Sequence, residues 1–119
     1  MAVRFNECVN GRDIDGLAEL MSDDHEFIDT ADEVISGKEG CLHAWRGFFE
    51  SFPDYRNVFA SVIVRDEFVT IVGHSECSEP GLSGPALWTA TVRGDKVAQW
   101  RVYADTPEIR GRLGVHDHG

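Results

Sequence analysis

The chain is poor in basic residues. Eleven Lys and Arg stand against twenty-one Asp and Glu, a formal charge of −10 over 119 residues. No Lys/Arg cluster offsets the excess, so the chain would repel a phosphate backbone, and no nucleic-acid partner is expected. Long apolar runs are missing too. None approaches the ~20 residues that cross a bilayer, and the opening Met-Ala-Val-Arg-Phe-Asn-Glu has no apolar signal core. The expected location is the cytoplasm, with no membrane partner. Cysteine is scarce: Cys8, Cys41 and Cys77 make no C-x-x-C and no zinc pattern, and they read as reduced thiols in or near a core. There is no phosphate loop, no His-Glu-x-x-His and no nucleophile elbow, since Gly81-Leu82-Ser83-Gly84 has the wrong spacing. The terminal His116-Asp117-His118 reads as a solvated pair. No cofactor and no metal are expected.

Apolar side chains are plentiful. The hydrophobic fraction is 42%, with three Trp, two Tyr and seven Phe, which rules out a disordered chain. The length suits one core and one domain over residues 1–119, ending in a short tail. A first helix is predicted from Val3 to Val9 and broken at Asn10-Gly11. Asp13 can cap a second, which carries Ile14, Leu17, Leu20 and Met21 at helical spacing. A short strand follows over His25–Thr30. Ser36, with Glu39 three residues on, predicts the capping box of a third helix. There Leu42, Trp45, Phe48, Phe49 and Phe52 make one broad apolar face, and Pro53 ends it. Beyond Pro53 the period changes to two. Strands are predicted over Val58–Val64, Phe68–Ser75, Ala86–Val92 and Val97–Tyr103, with turns at Asp66-Glu67 and Gly94-Asp95. The order is an α+β pattern, helices lying across one antiparallel sheet.

Three stretches in this order resemble the SnoaL-like branch of the nuclear-transport-factor-2-like (NTF2-like) superfamily. They are Gly11 to Asp24, a small helix followed by two acids; Ser36-Gly37-Lys38-Glu39-Gly40, opening the helix of Trp45 and Phe49; and Gly94 to Asp105, a last strand ending in aromatic-x-acid. The resemblance implies a cone-shaped, cystatin-like curved sheet wrapped by three helices from the N-terminal half around an apolar pocket. It also implies a homodimer through the outer sheet face. It names no reaction, because the fold hosts polyketide cyclases, ketosteroid isomerases, limonene epoxide hydrolases and non-catalytic binders. Phe5 stands where the steroid isomerases keep a tyrosine donor, and Trp88 near their protonated acid. Val72-Gly73-His74 replaces the Arg-x-Asp of the epoxide hydrolases.

Strand alternation puts His25, Phe27 and Asp29 on one face, Val72, His74 and Glu76 on another, and Val97, Gln99, Arg101, Tyr103 and Asp105 on a third. With Asp105 toward the pocket, Trp100 and Val102 would face outward and serve a dimer. Asp29 matches the proton-shuttling carboxylate of the isomerases; its plainer role is to cap the strand end. Asp105 matches the acid of the cyclases; its plainer role is to cap a helix at Thr106-Pro107. His74 could shuttle a proton beside a carboxylate, or be an ordinary half-exposed strand residue. Tyr103, Trp88, Trp45, His25, Phe27 and Phe49 are candidate lining residues for a small cyclic or apolar ligand. Arg101 is a candidate clamp or an ion-pair partner.

Three functions follow. One is cofactor-free acid/base chemistry (cyclisation, isomerisation or hydration) by Asp105, Asp29 and His74, which requires at least two of them to converge. Another is a non-catalytic pocket whose acids are already satisfied. The last is an interaction module working through the sheet face.

Overall fold

The computed structural model describes residues 1–115. Helix α1 (Ala2–Asn10) and helix α2 (Ile14–Leu20) open the chain. Asp13 caps α2 as its sequence position predicts, its Oδ1 accepting from the Gly16 N–H at 2.9 Å. Strand β1 (Met21–Ile28), strand β2 (Val34–Ser36) and helix α3 (Lys38–Ser51) follow. Strands β3 (Arg56–Arg65), β4 (Phe68–Glu76), β5 (Gly84–Arg93) and β6 (Lys96–Ala104) complete the sheet, and helix α4 (Pro107–Leu113) comes last.

The apolar stripe of α3 is buried at Leu42, Trp45 and Phe49. Its predicted cap is corrected. Ser36 ends β2, paired to Glu26 of β1, so its backbone is extended. The N-cap is Gly37, at φ +90 and with no side-chain bond, a conformation that suits glycine. The strand order is β2-β1-β6-β5-β4-β3. All neighbouring pairs are antiparallel except β1 and β6, which run parallel, so the expected wholly antiparallel sheet is corrected as well. A fourth helix adds to the three expected. Thr106 caps it, Oγ1 accepting from the Ile109 N–H at 3.2 Å, and Gly114 ends it in the left-handed region.

The register shifts at three places in the sheet: between Met21 and Glu26 where β1 meets β6, in β3 between Phe59 and Ser61, and where β6 meets β5 at Thr91/Val92. An extra residue sharpens the local twist and flips the alternation beyond it. Gly73 faces the shift in β3, and a Cβ there would lie 2.0 Å from the Val58 carbonyl oxygen, so only glycine allows this approach of β3 to β4.

Helices α1, α2 and α3 cover one sheet face. At the α1 end that face is filled. Phe5 stacks on Trp100 at 4.5 Å and on His25 at 5.7 Å, and Phe59 packs on Trp88 at 5.2 Å. Phe5, His25, Trp88 and Trp100 are all essentially inaccessible. Among the described residues no helix is long and apolar enough to cross a membrane.

Candidate binding site

The same face is hollow at its other end, where a cavity of about 540 Å³ opens. β1 contributes Phe27, Asp29 lines the cavity just beyond the end of that strand, and α3 contributes Cys41, Ala44, Trp45 and Phe48. Tyr55, Ser75, Val102 and the turn Gly81–Pro85 close the remaining sides. Four aromatic rings follow one another around it at steep angles. Phe27 meets Trp45 at 5.5 Å and 73°, Trp45 meets Phe48 at 5.9 Å and 85°, and Phe48 meets Tyr55 at 4.7 Å and 89°. Each edge-to-face contact is favourable, and the chain of them holds the rings apart as walls instead of letting them collapse into a stack.

Several polar groups of the lining are already engaged. Ser75 Oγ donates its single proton to Asn57 Oδ1 at 2.8 Å. The 3.3 Å contact between Tyr55 Oη and Ser75 Oγ is therefore donated by the tyrosine. Burial holds the Tyr55 phenol above its ordinary pKa, so it keeps that proton at neutral pH. Asn57 is tied in turn to α1, its N–H bonding Asn10 Oδ1 at 2.9 Å. Ser83 Oγ donates to the Ser75 carbonyl at 3.4 Å. The Cys41 thiol, raised by burial, donates to the Ile35 carbonyl at 3.3 Å; a thiol held protonated is a weak nucleophile. All three cysteines are free.

Asp29 lines the cavity, and its Oδ1 accepts from the N–H groups of Ala31 at 2.8 Å and Glu33 at 3.0 Å. This is the turn-capping role of an Asp at a strand end. Its Oδ2 receives no hydrogen bond from any described residue. Phe27, Trp45 and Tyr103 also touch the cavity. The Tyr103 hydroxyl lies 3.2 Å from Thr89 Oγ1, and its ring lies under the Arg101 guanidinium at 4.8 Å.

The other predicted residues lie elsewhere. Asp105 is held by Arg110 of α4 through two bonds, 2.6 Å to Oδ1 and 2.8 Å to Oδ2, which keep its carboxyl below the usual range. It does not line the cavity. His74 is on the opposite sheet face, with Nε2 3.2 Å from Glu76 Oε2; the inward positions of β4 are Val69, Ile71 and Ser75. Arg101 pairs with Asp32. Trp88 and Phe49 are core, Phe49 lying beneath Arg12. His25 shares a face with Phe27 and Asp29 as alternation requires, but it lies in the filled half. The orientation expected for β6 is reversed: Trp100 and Val102 point inward, into the core and onto the cavity, because the bulge moves the parity by one. Two connecting segments also reach the cavity, through Thr30 and Gly81–Pro85. Among the described residues no three His, Cys, Asp or Glu side chains are placed to hold a metal ion. His116 and His118 lie outside the described residues.

A helix-covered, six-stranded sheet with one hollow end defines the NTF2-like, cystatin-type class. A SnoaL-like domain model matches residues 2–106, and the chain belongs to that family. Among solved structures it is similar to a Sinorhizobium meliloti protein provisionally named a polyketide cyclase, at TM-score 0.77 and 15% identity, over 85% of this chain and 91% of that one. It is also similar to a Shewanella denitrificans protein provisionally named a SnoaL-like polyketide cyclase, at 0.76 and 15%, over 97% and 95%. A Catenulispora acidiphila protein of ketosteroid-isomerase-like fold, solved in complex with trimethylamine, gives 0.72 and 13%, over 97% and 92%. Identities this low speak for the fold alone. No curated protein sequence matches the chain.

Proposed function

We propose that the protein binds a compact, mostly apolar small molecule between the rings of Phe27, Trp45, Phe48 and Tyr55. The observation that supports binding over acid/base catalysis is the state of the three candidate groups. Asp105 is locked by Arg110, His74 is across the sheet, and one Asp29 oxygen is held by two amides. A proton relay needs at least two groups within reach of one ligand atom. Only Asp29 meets the cavity. The four-ring wall, by contrast, suits a flat or cyclic body.

Proton transfer by Asp29 alone is the second reading, favoured by its place in the lining and by an Oδ2 that no described residue hydrogen-bonds. A homodimer through the outer sheet face belongs to either reading, though it loses the support of Trp100 and Val102. A sedimentation mass of one chain at micromolar concentration would remove it.

The test is an NMR titration with small aromatic fragments. Shifts are expected at Trp45, Phe48 and Tyr55, and they should vanish in Ala44→Trp, which fills the cavity from α3 with the fold intact. Unchanged binding by that variant overturns the reading. Turnover of any bound fragment, lost in Asp29→Asn, would favour the second one.

A further inference from the structure

The cavity's chemistry is one-sided, and this narrows the ligand. Among the described residues that line it there is no Lys, Arg or His, and Asp29 is the one acidic or basic side chain. Its Oδ1 is held by backbone amides, and no described side chain neutralises it. Three of the lining hydroxyls point the same way, while Tyr103 shares its hydrogen bond with Thr89. Ser75 gives its proton to Asn57, Tyr55 gives its proton to Ser75, and Ser83 gives its proton to the Ser75 carbonyl. Each is left with lone pairs only. The Cys41 thiol is turned to a backbone carbonyl. The Trp45 N–H is buried, with no partner among the described residues. Thr30 at the rim is the one lining hydroxyl with no hydrogen bond among the described residues. Around these acceptors stand the four ring walls, whose π faces are themselves electron-rich.

We infer that the ligand is an organic cation with N–H donors, a protonated amine on a small aromatic or aliphatic body. This rests on the binding reading above. An ammonium group supplies donors to Asp29 Oδ2 and the Tyr55 oxygen, and its charge is favourable both to the carboxylate and over the rings. A carboxylate or phosphate ligand would meet Asp29 as a like charge with no cationic partner. A ketone would find nearly every buried donor already engaged.

Benzylammonium, benzyl alcohol and benzoate share shape and differ in charge and donor count. Calorimetry at pH 7.5 with the whole chain is the test. Benzylammonium is expected to bind at least about tenfold tighter than benzyl alcohol, with benzoate undetected. Asp29→Asn keeps an oxygen for the Ala31 and Glu33 amides and removes the charge. It should lower benzylammonium affinity about tenfold and leave benzyl alcohol unchanged. If benzyl alcohol or benzoate binds as well as benzylammonium, the cation inference falls and the cavity reading stands. If none of the three binds the wild-type chain, while Ala44→Trp also changes nothing for the aromatic fragments, both fall.

Discussion

The two ends of one sheet face are built from similar residues and end in opposite states. At the α1 end Phe5, His25, Trp88, Phe59 and Trp100 stack until no space remains. At the other end Phe27, Trp45, Phe48 and Tyr55 stand edge to face and leave a cavity. Aromatic content does not decide between a core and a pocket. What decides is whether a covering element inserts a side chain between the rings. Helix α1 inserts Phe5. Helix α3 presents Ala44 to the hollow end, and the polar tie from Tyr55 through Ser75 to Asn57 holds the wall back. Strand β1 crosses both regions, with His25 in the first and Phe27 in the second, and Asp29 follows it there.

The strongest way to break this comparison is to remove one large ring from each end. Trp100→Ala deletes a fully buried indole and should cost about 3–5 kcal/mol in urea unfolding, with a cavity left behind. Phe48→Ala removes a ring that already borders empty space. It should cost about 1–2 kcal/mol while weakening fragment binding. Equal costs would mean that the two ends are energetically alike and that the hollow is shallow.

Much of the architecture was legible in the sequence. The α3 stripe, the Asp13 cap and the turns at Asp66-Glu67 and Gly94-Asp95 follow from local rules, and Phe27 and Asp29 come to the cavity by simple alternation from His25. The last strand defeats the same rule. Val97 is inward, so strict alternation makes Gln99, Arg101 and Tyr103 inward too. The bulge beside it reverses everything that follows, and a bulge leaves little mark in one sequence. The volume of Trp100 and the apolar character of Val102 were the available signal. In β4 the buried Val69 and Ile71 give the correct parity, which carries on to Ser75 and sends His74 outward. Tyr55 and Ser75 were missed for another reason. Their importance comes from a hydrogen-bond chain joining β3, β4 and α1, and sequence spacing does not encode it. The Asp105–Arg110 pair was hidden in the same way, since it needs α4 to turn back on β6.

The remaining prediction sharpens the contrast along β1 by pH. His25 Nδ1 lies 2.6 Å from the Val97 carbonyl, which can only accept, so the proton sits on Nδ1 and Nε2 carries the lone pair. Nε2 is buried and has no partner among the described residues. A second proton would place an unpaired N–H and a charge against Phe5. Burial therefore lowers the His25 pKa, outweighing the opposing Val97 carbonyl and the nearby Asp24 and Glu26. In the unfolded chain the imidazole titrates near its ordinary value of about 6.5. Above that pH neither state takes up the proton, and the full stability is present. As pH falls below it, the unfolded chain binds a proton that the folded chain refuses. Stability then declines by no more than about 1.4 kcal/mol per pH unit for this one group. The decline stops once the pH is below the folded value. His25→Gln retains an N–H that can reach the Val97 carbonyl and cannot titrate. Urea midpoints compared for the two proteins between pH 7.5 and 5 isolate the effect. A wild-type loss that the variant lacks places the imidazole in a closed core, as the filled end requires. Parallel curves would mean that water reaches Nε2, and that the α1 end is as open as the end that holds Asp29.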